Sequence, residues 1–293
     1  MLFKSVSRPL SRKPIGKKQY VSYMMFYAAT ASTVSFVNAA QANEWQFSTG
    51  ADYSSGDYGV SDDTDILYLP FTASYLSGPW KAKVTIPWIR IDGPGVVTGG
   101  GDGVVVIKPK KNPNANPGPN PAPTPASSGT TTESGLGDIW ASLTYQVEAW
   151  PREYGYLDLT GKIKFPTADD DDGLGTGETD YTLQADYAYP MDNKLTPMVS
   201  VAYKIKGDPD GVDLDNVFYV SAGADYRLDS GIHAGASLDF QEASSDGADD
   251  ALELFAYLSY RASQNWTLMP YAYHGFTDGS PDYGIGISVN YRM

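Results

Sequence analysis

Lys81, Lys83, Lys162, Lys164, Lys204, Lys206, Arg227, Arg261 and Arg292, with Asp158, Asp186, Asp225, Asp239 and Glu253 of opposite sign, each sit in a stretch where polar and large apolar residues alternate. In an extended chain such alternation puts the ionisable side chains on one face and the apolar ones on the other. Charges gathered on one face need water or partners. If that face lines a narrow interior, the opposed charges create a transverse field, and the chemistry on offer is electrostatic guidance of small solutes. Lysines 162/164 and 204/206 fall near strand ends and are expected to form one basic patch, which would attract anions or neutralise acidic loops beside it.

Bond-making chemistry is poorly provided for, and no enzyme is expected. The chain has no cysteine, which removes thiolate metal sites, disulfides and cysteine nucleophiles. His233 and His274 are its two histidines, and neither stands in a motif with a nucleophile. Acidic clusters at Asp57, Asp62 and Asp63, at Asp169 to Asp172, at Asp208, Asp210, Asp213 and Asp215, and at Asp246, Asp249 and Asp250 lack the twelve-residue calcium-loop spacing that ends in Glu. They read as solvated loops. No metal, no cofactor and no catalytic residue is expected, and a formal charge of −14 opposes binding of nucleic acid.

The elements that carry these residues are strands. Tyr283, Ile285, Ile287, Val289, Tyr291 and Met293 alternate with Gly284, Gly286, Ser288, Asn290 and Arg292. A helix would scatter those apolar residues and suffer from two interior glycines. The same period recurs upstream, giving strands near 45–53, 66–75, 80–90, 138–147, 156–166, 180–189, 197–206, 216–228, 232–241, 251–261, 266–275 and 282–293. An even count of about twelve, with short connectors such as Leu76-Ser77-Gly78 and Asp229-Ser230-Gly231 alternating with longer acidic ones, predicts an all-β, antiparallel, up-and-down transmembrane barrel. Short turns would face the periplasm, and aromatics near strand ends would form interfacial girdles. A barrel of this size is intermediate between filled eight-stranded and open sixteen-stranded forms, and inward Gly and Ser would leave room for a narrow polar lumen.

Residues 1–42 read as a separate object, a cleaved signal peptide. Lys4, Arg8, Arg12, Lys13, Lys17 and Lys18 precede an apolar run, Val21 to Ala40, that ends in Ala40-Gln41-Ala42. Its removal takes away six positive charges and no negative one, which moves the formal charge from −14 to −20. Residues 43–293 would form the barrel in the bacterial outer membrane. Its expected partners are outer-membrane lipids and lipopolysaccharide, the barrel-assembly machinery acting on the C-terminal strand, and a small-molecule solute. Within it, 92–135 holds Gly99-Gly100-Gly101 and a proline-rich run to Pro125. Such a composition cannot pack a core and reads as a long extracellular loop.

Ser134-Gly135-Leu136-Gly137-Asp138-Ile139, Leu159 through Thr167, Leu174-Gly175-Thr176-Gly177 and the ending Tyr283-Gly284-Ile285-Gly286 resemble the outer-membrane transporter family named for the MetA (meta-cleavage) pathway of phenol degradation. The resemblance implies an outer-membrane barrel and uptake of aromatic or other small substrates. The residues themselves point to a channel for passive uptake of small solutes, with a structural or surface-interaction barrel that uses the proline-rich loop as its contact element as the alternative.

Overall fold

The structure, a computed structural model, describes residues 43–60, 62–94, 97–99, 104–106, 130–192, 194–209, 212–245 and 248–293. The leader expected over 1–42 and most of the 92–135 segment lie outside the described residues. Strands are β1 (Glu44–Gly56), β2 (Thr64–Ser77), β3 (Trp80–Gly93), β4 (Val97–Gly99), β5 (Val104–Val106), β6 (Thr131–Leu136), β7 (Ile139–Gln146), β8 (Tyr156–Phe165), β9 (Asp180–Ala188), β10 (Leu195–Ile205), β11 (Val217–Asp229), β12 (Ile232–Gln241), β13 (Ala251–Arg261), β14 (Trp266–Gly275) and β15 (Tyr283–Arg292). β4 and β5 pair only with each other. The others form one antiparallel sheet in which β1 pairs with both β2 and β15, so the wall closes.

The wall has twelve staves, because β6 and β7 both pair with β3 and together make a single one. Their register explains the break between them. Trp88 faces Leu136 and Thr85 faces Trp140, so two residues of β3, Ile86 and Pro87, stand opposite three, Gly137, Asp138 and Ile139. That is a β-bulge, which reverses the inside-outside phase. Pro87 has no N–H to give, while its carbonyl accepts from Gly137 N at 3.0 Å. Consequently Leu136 and Leu143 both face outward although seven residues apart. The stave begins at Thr131, upstream of the expected start at 138, since the bulge lets the chain keep pairing with β3.

Large apolar side chains cover the outside. Val84, Ile86, Leu143, Leu159, Val199, Val201, Val220, Leu254, Ile285 and Ile287 are all exposed. Water would not tolerate so continuous an apolar belt, whereas lipid requires it. At the short-turn end, ring pairs Trp45–Tyr75, Trp80–Tyr145 and Trp266–Tyr291 pack at a tilt with centroids 4.7–4.9 Å apart. Tyr203–Phe218, at 4.8 Å, marks the opposite interface. No helix among the described residues is long and apolar enough to cross a membrane; the strands do so.

Three long connections fold in at the loop end. Tyr58 from the β1–β2 loop, Ala168 and Leu174 from the β8–β9 loop and Ala248 from the β12–β13 loop pack on Ile66, Tyr68, Ile89 and Ile91 of β2 and β3. An apolar cap therefore covers part of the mouth of a polar interior.

Candidate functional site: two unlike inner walls

From β3 through β10 the inner face is organised in rows set by strand register. Lys83, Ser142, Lys162, Thr182 and Lys204 are successive cross-strand partners. Asp158, Asp186, Ser200, Ser221, Asp239 and Glu253 form a second such row, which runs on into β13. Four residues of β8 separate Asp158 from Lys162, a rise of about 13 Å. Lys81, Lys83, Asp158, Lys162 and Asp186, with Ser142, Thr144 and Thr160, enclose a cavity of about 10 Å³, roughly the space of one water. The interior is therefore tightly filled on this side.

Hydrogen bonds account for the buried carboxylates here. Asp186 Oδ1 accepts from Gln184 Nε2 and from Ser200 Oγ, both at 2.6 Å, and Asp158 Oδ1 accepts from Gln146 Nε2 at 3.4 Å. Toward the loop end, Lys164 Nζ lies 3.2 Å from Asp138 and 3.1 Å from Asp180, and Lys206 Nζ lies 2.9 Å from the same Asp180 oxygen. Lysines 164 and 206 thus meet through a shared carboxylate, and of the two roles expected for the basic pairs these two lysines take the neutralising one. Burial forces this, since unpaired ammoniums so placed would be too costly. Lys204 instead donates to Gln241 and sits 5.4 Å from the ring centre of Tyr219.

The sequence segments that carry the family resemblance converge on this network. Asp138 Oδ1 accepts from the backbone N–H of Thr167 and of Ala168, both at 3.0 Å. Thr167 Oγ1 accepts from Ile139 N at 2.9 Å and donates to Gly137 O at 3.2 Å. Lys164 donates to Thr176 Oγ1 at 2.7 Å. A Cβ at Gly175 would stand 3.0 Å from both Asp138 carboxylate oxygens, which is why glycine is found there. The clamp holds the β8–β9 loop inward and so delivers Leu174 to the apolar cap.

From β11 round to β2 the inner face is built differently. Its carboxylates meet phenols: Asp239 takes Tyr219 OH at 2.8 Å and Ser237 Oγ at 2.7 Å, and Asp52 takes Tyr273 OH at 2.9 Å. Asp225 takes Tyr257 OH at 2.8 Å and lies 2.9 Å from His233 Nδ1. Basic residues in phase with this face occur only at the short-turn ends. Arg227 is half-buried there, Arg261 is exposed at the rim, and Arg292 pairs with Glu44. Glu253 is buried beside Asp239 in register. His274 faces outward and bonds the Asp282 carbonyl at 2.6 Å.

Tyrosines here correct the expected room beside the inward glycines. Tyr68, Tyr219, Tyr257 and Tyr273, with Phe255, are buried on the inner face and do not join the girdles. Nor do the inward glycines leave open space: a Cβ at Gly284 would lie 2.0 Å from Tyr273 Cζ, one at Gly286 2.3 Å from Tyr271 Cζ, and one at Gly235 2.4 Å from Tyr257 Cζ. The rings of β13 and β14 lie flat over glycines of neighbouring strands, because only the missing side chain lets them approach the wall. Asp52, Asp180, Tyr68 and Tyr273 escaped the sequence reading. The available signal was phase, for Asp52 alternates in step with Gln46 and Ser48.

Asp52 and Tyr58 are both buried in this wall, Asp52 against the hydroxyls of Tyr271 and Tyr273 and Tyr58 against that of Ser54. Tyr58 is held in place by its turn: it adopts φ 47°, Gly59 follows at φ 70°, and Gly59 N donates to Asp57 Oδ1 at 2.7 Å. Its hydroxyl pKa is pushed up, first by burial and then by the neighbouring Glu253, Asp52 and Asp282 carboxylates.

Comparison with known proteins agrees on the fold. An outer membrane channel from Pseudomonas putida F1 matches with a TM-score of 0.62 at 15% identity, covering 86% of this chain and 96% of that one. The NanC porin matches at 0.51 and 12% identity, covering 84% and 98%. The translocator domain of the autotransporter NalP from Neisseria meningitidis matches at 0.50 and 12% identity, covering 87% and 89%. A channel, a porin and a translocator on one architecture show that the likeness fixes fold and not activity. No curated protein sequence matches the chain. The profile of the family described as "Putative MetA-pathway of phenol degradation" matches residues 88–293, most of the chain, and the protein belongs to that family.

Proposed function

We propose that the protein is an outer-membrane channel for passive uptake of small solutes, aromatic ones among them. The observation that carries this reading is the pair of charged rows crossing the inside of a closed, lipid-facing wall. A barrel that served only as an anchor would have no need of a charged interior, which adds desolvation cost without adding stability. The family name and the channel and porin folds support the same reading. In this account residues 1–42 are the export signal, and the barrel-assembly machinery engages β15. Planar-bilayer recording tests the proposal. Refolded barrel should give discrete conductance steps and swell liposomes in small solutes; a folded barrel that does neither would rule it out.

A further inference from the structure

We infer that the apolar cap is the extracellular gate of the channel, a hinged closure in which the β8–β9 loop is the moving part and Asp138 its latch. The inference rests on the channel reading for what passes the gate and on the loops for its construction. The β1–β2, β8–β9 and β12–β13 loops leave the rim a third of the way round from one another. Between the first and second stand β2, β3, the β6/β7 stave and β8; between the second and third, β9 to β12; between the third and first, β13, β14, β15 and β1. Tyr58, Leu174 and Ala248 of these loops nevertheless meet in one apolar cluster on β2 and β3. Loops that start so far apart meet only by crossing the mouth. An apolar constriction there stops ions and polar solutes, which lose hydration in it.

The β8–β9 loop, residues 166–179, is built to swing as a unit. Its tip is a closed turn in which Gly173 N donates to Asp170 O at 3.1 Å and Leu174 N to Asp169 O at 3.0 Å, and Gly173 and Gly177 take φ of 69° and 71°. Asp169 to Asp172 stay exposed while Leu174, Gly175 and Thr176 are buried, so one leg of the loop is inserted and the other faces water. Side chains hold the inserted leg: Asp138 takes the N–H groups of Thr167 and Ala168, and Lys164 donates to Thr176. Such bonds part and re-form as a set without unzipping a strand. The β12–β13 loop is instead braced by both neighbours, through Asp215 N to Ser244 O at 2.9 Å and Leu252 N to Ser280 Oγ at 3.0 Å. Tyr58 adds strain to the closed state. At φ 47° it holds a conformation that a residue with a side chain adopts only where packing offsets the cost, and Leu174 is part of that packing.

A reversible lock tests the gate in planar bilayers. A Cβ at Gly135 would stand 2.9 Å from Leu174 Cδ1, so Gly135→Cys with Leu174→Cys brings two thiols within reach of a short, reducible bis-methanethiosulfonate crosslinker. The crosslinked barrel should lose most of its current, and reduction should restore it. The latch has a readout that needs no current. With Leu174→Cys alone, a water-soluble thiol reagent should react at least about tenfold faster once Asp138→Ala is added, the value of one charge-assisted hydrogen bond. Thr176→Val, which removes only the acceptor for Lys164, should speed it by about threefold or more, and it serves if the Ala variant does not fold. Equal current in the crosslinked and reduced barrels, or labelling that neither latch variant speeds, would overturn the proposal. A barrel that conducts alike in both states loses the gate and keeps the channel. One whose labelling responds but which passes no current in either state loses the channel and keeps the hinged cap.

Discussion

On β3 to β10 the buried carboxylates are matched by ammoniums, amides and serine hydroxyls, whereas on β11 to β2 their partners are mainly phenols and the basic residues are confined to one end. The first wall neutralises itself. The second keeps its carboxylates next to aromatic rings. Ion pairs desolvated in a wall fix geometry and leave little for a passing solute, while an acid among ring faces still has binding capacity. In the proposed channel the first wall would hold shape and the second would meet solute.

The largest expected effect lies in the first wall. Asp180→Ala strips the shared partner from Lys164 and Lys206 and should cost about 3–5 kcal/mol in urea unfolding of the refolded barrel. Asp52→Asn in the second wall should cost about 1 kcal/mol or less, because the amide oxygen still accepts from Tyr273. Similar losses at both positions would erase the contrast between the walls.

Next comes the phase of the strands, on which both walls depend. Val201 and Val220 are cross-strand partners on the outside, and Ser200 and Ser221 are partners on the inside. Arg at either valine should cost about 2–4 kcal/mol at mid-membrane, and at either serine much less. Equal costs in folding titrations would refute the register.

A smaller effect probes the tyrosine layer. Gly284→Ala or Gly286→Ala forces a ring off the wall and should cost about 1–3 kcal/mol, with a changed near-ultraviolet circular dichroism spectrum. Gly161, beside which a Cβ would meet nothing within 4 Å, should accept Ala with a change of about 0.5 kcal/mol or less. Tyr219→Phe, the loss of one phenol donor to Asp239, should cost about 1 kcal/mol in the same unfolding assay.

Much of this architecture was legible in the sequence because lipid imposes its demand on alternate residues. Tyr283 to Met293 announces a strand with one apolar face, and the twelve-stave count and the closure follow from the same rule. Tyrosine defeated it, since a phenol suits both a membrane interface and a polar interior. Only its phase relative to Glu253 or Gly275 separates the two. Pairings between distant residues were beyond reach for another reason. Asp180 joins Lys164 to Lys206 because of cross-strand register, and Leu174 reaches the apolar cap because Asp138 anchors the backbone of Thr167 and Ala168. Neither register nor loop inversion leaves a local pattern. The bulge at Gly137 and Asp138 answers Pro87 fifty residues upstream, so the motif could be seen but its cause could not.

The chain has no cysteine, so single cysteines can be introduced one at a time and probed during current recording. With Ser221→Cys, a bulky cationic thiol reagent should reduce single-channel current in planar bilayers, while Val220→Cys should leave it unchanged. Current that responds equally at both positions, or a folded barrel that passes no current, would contradict a channel running between two polar walls.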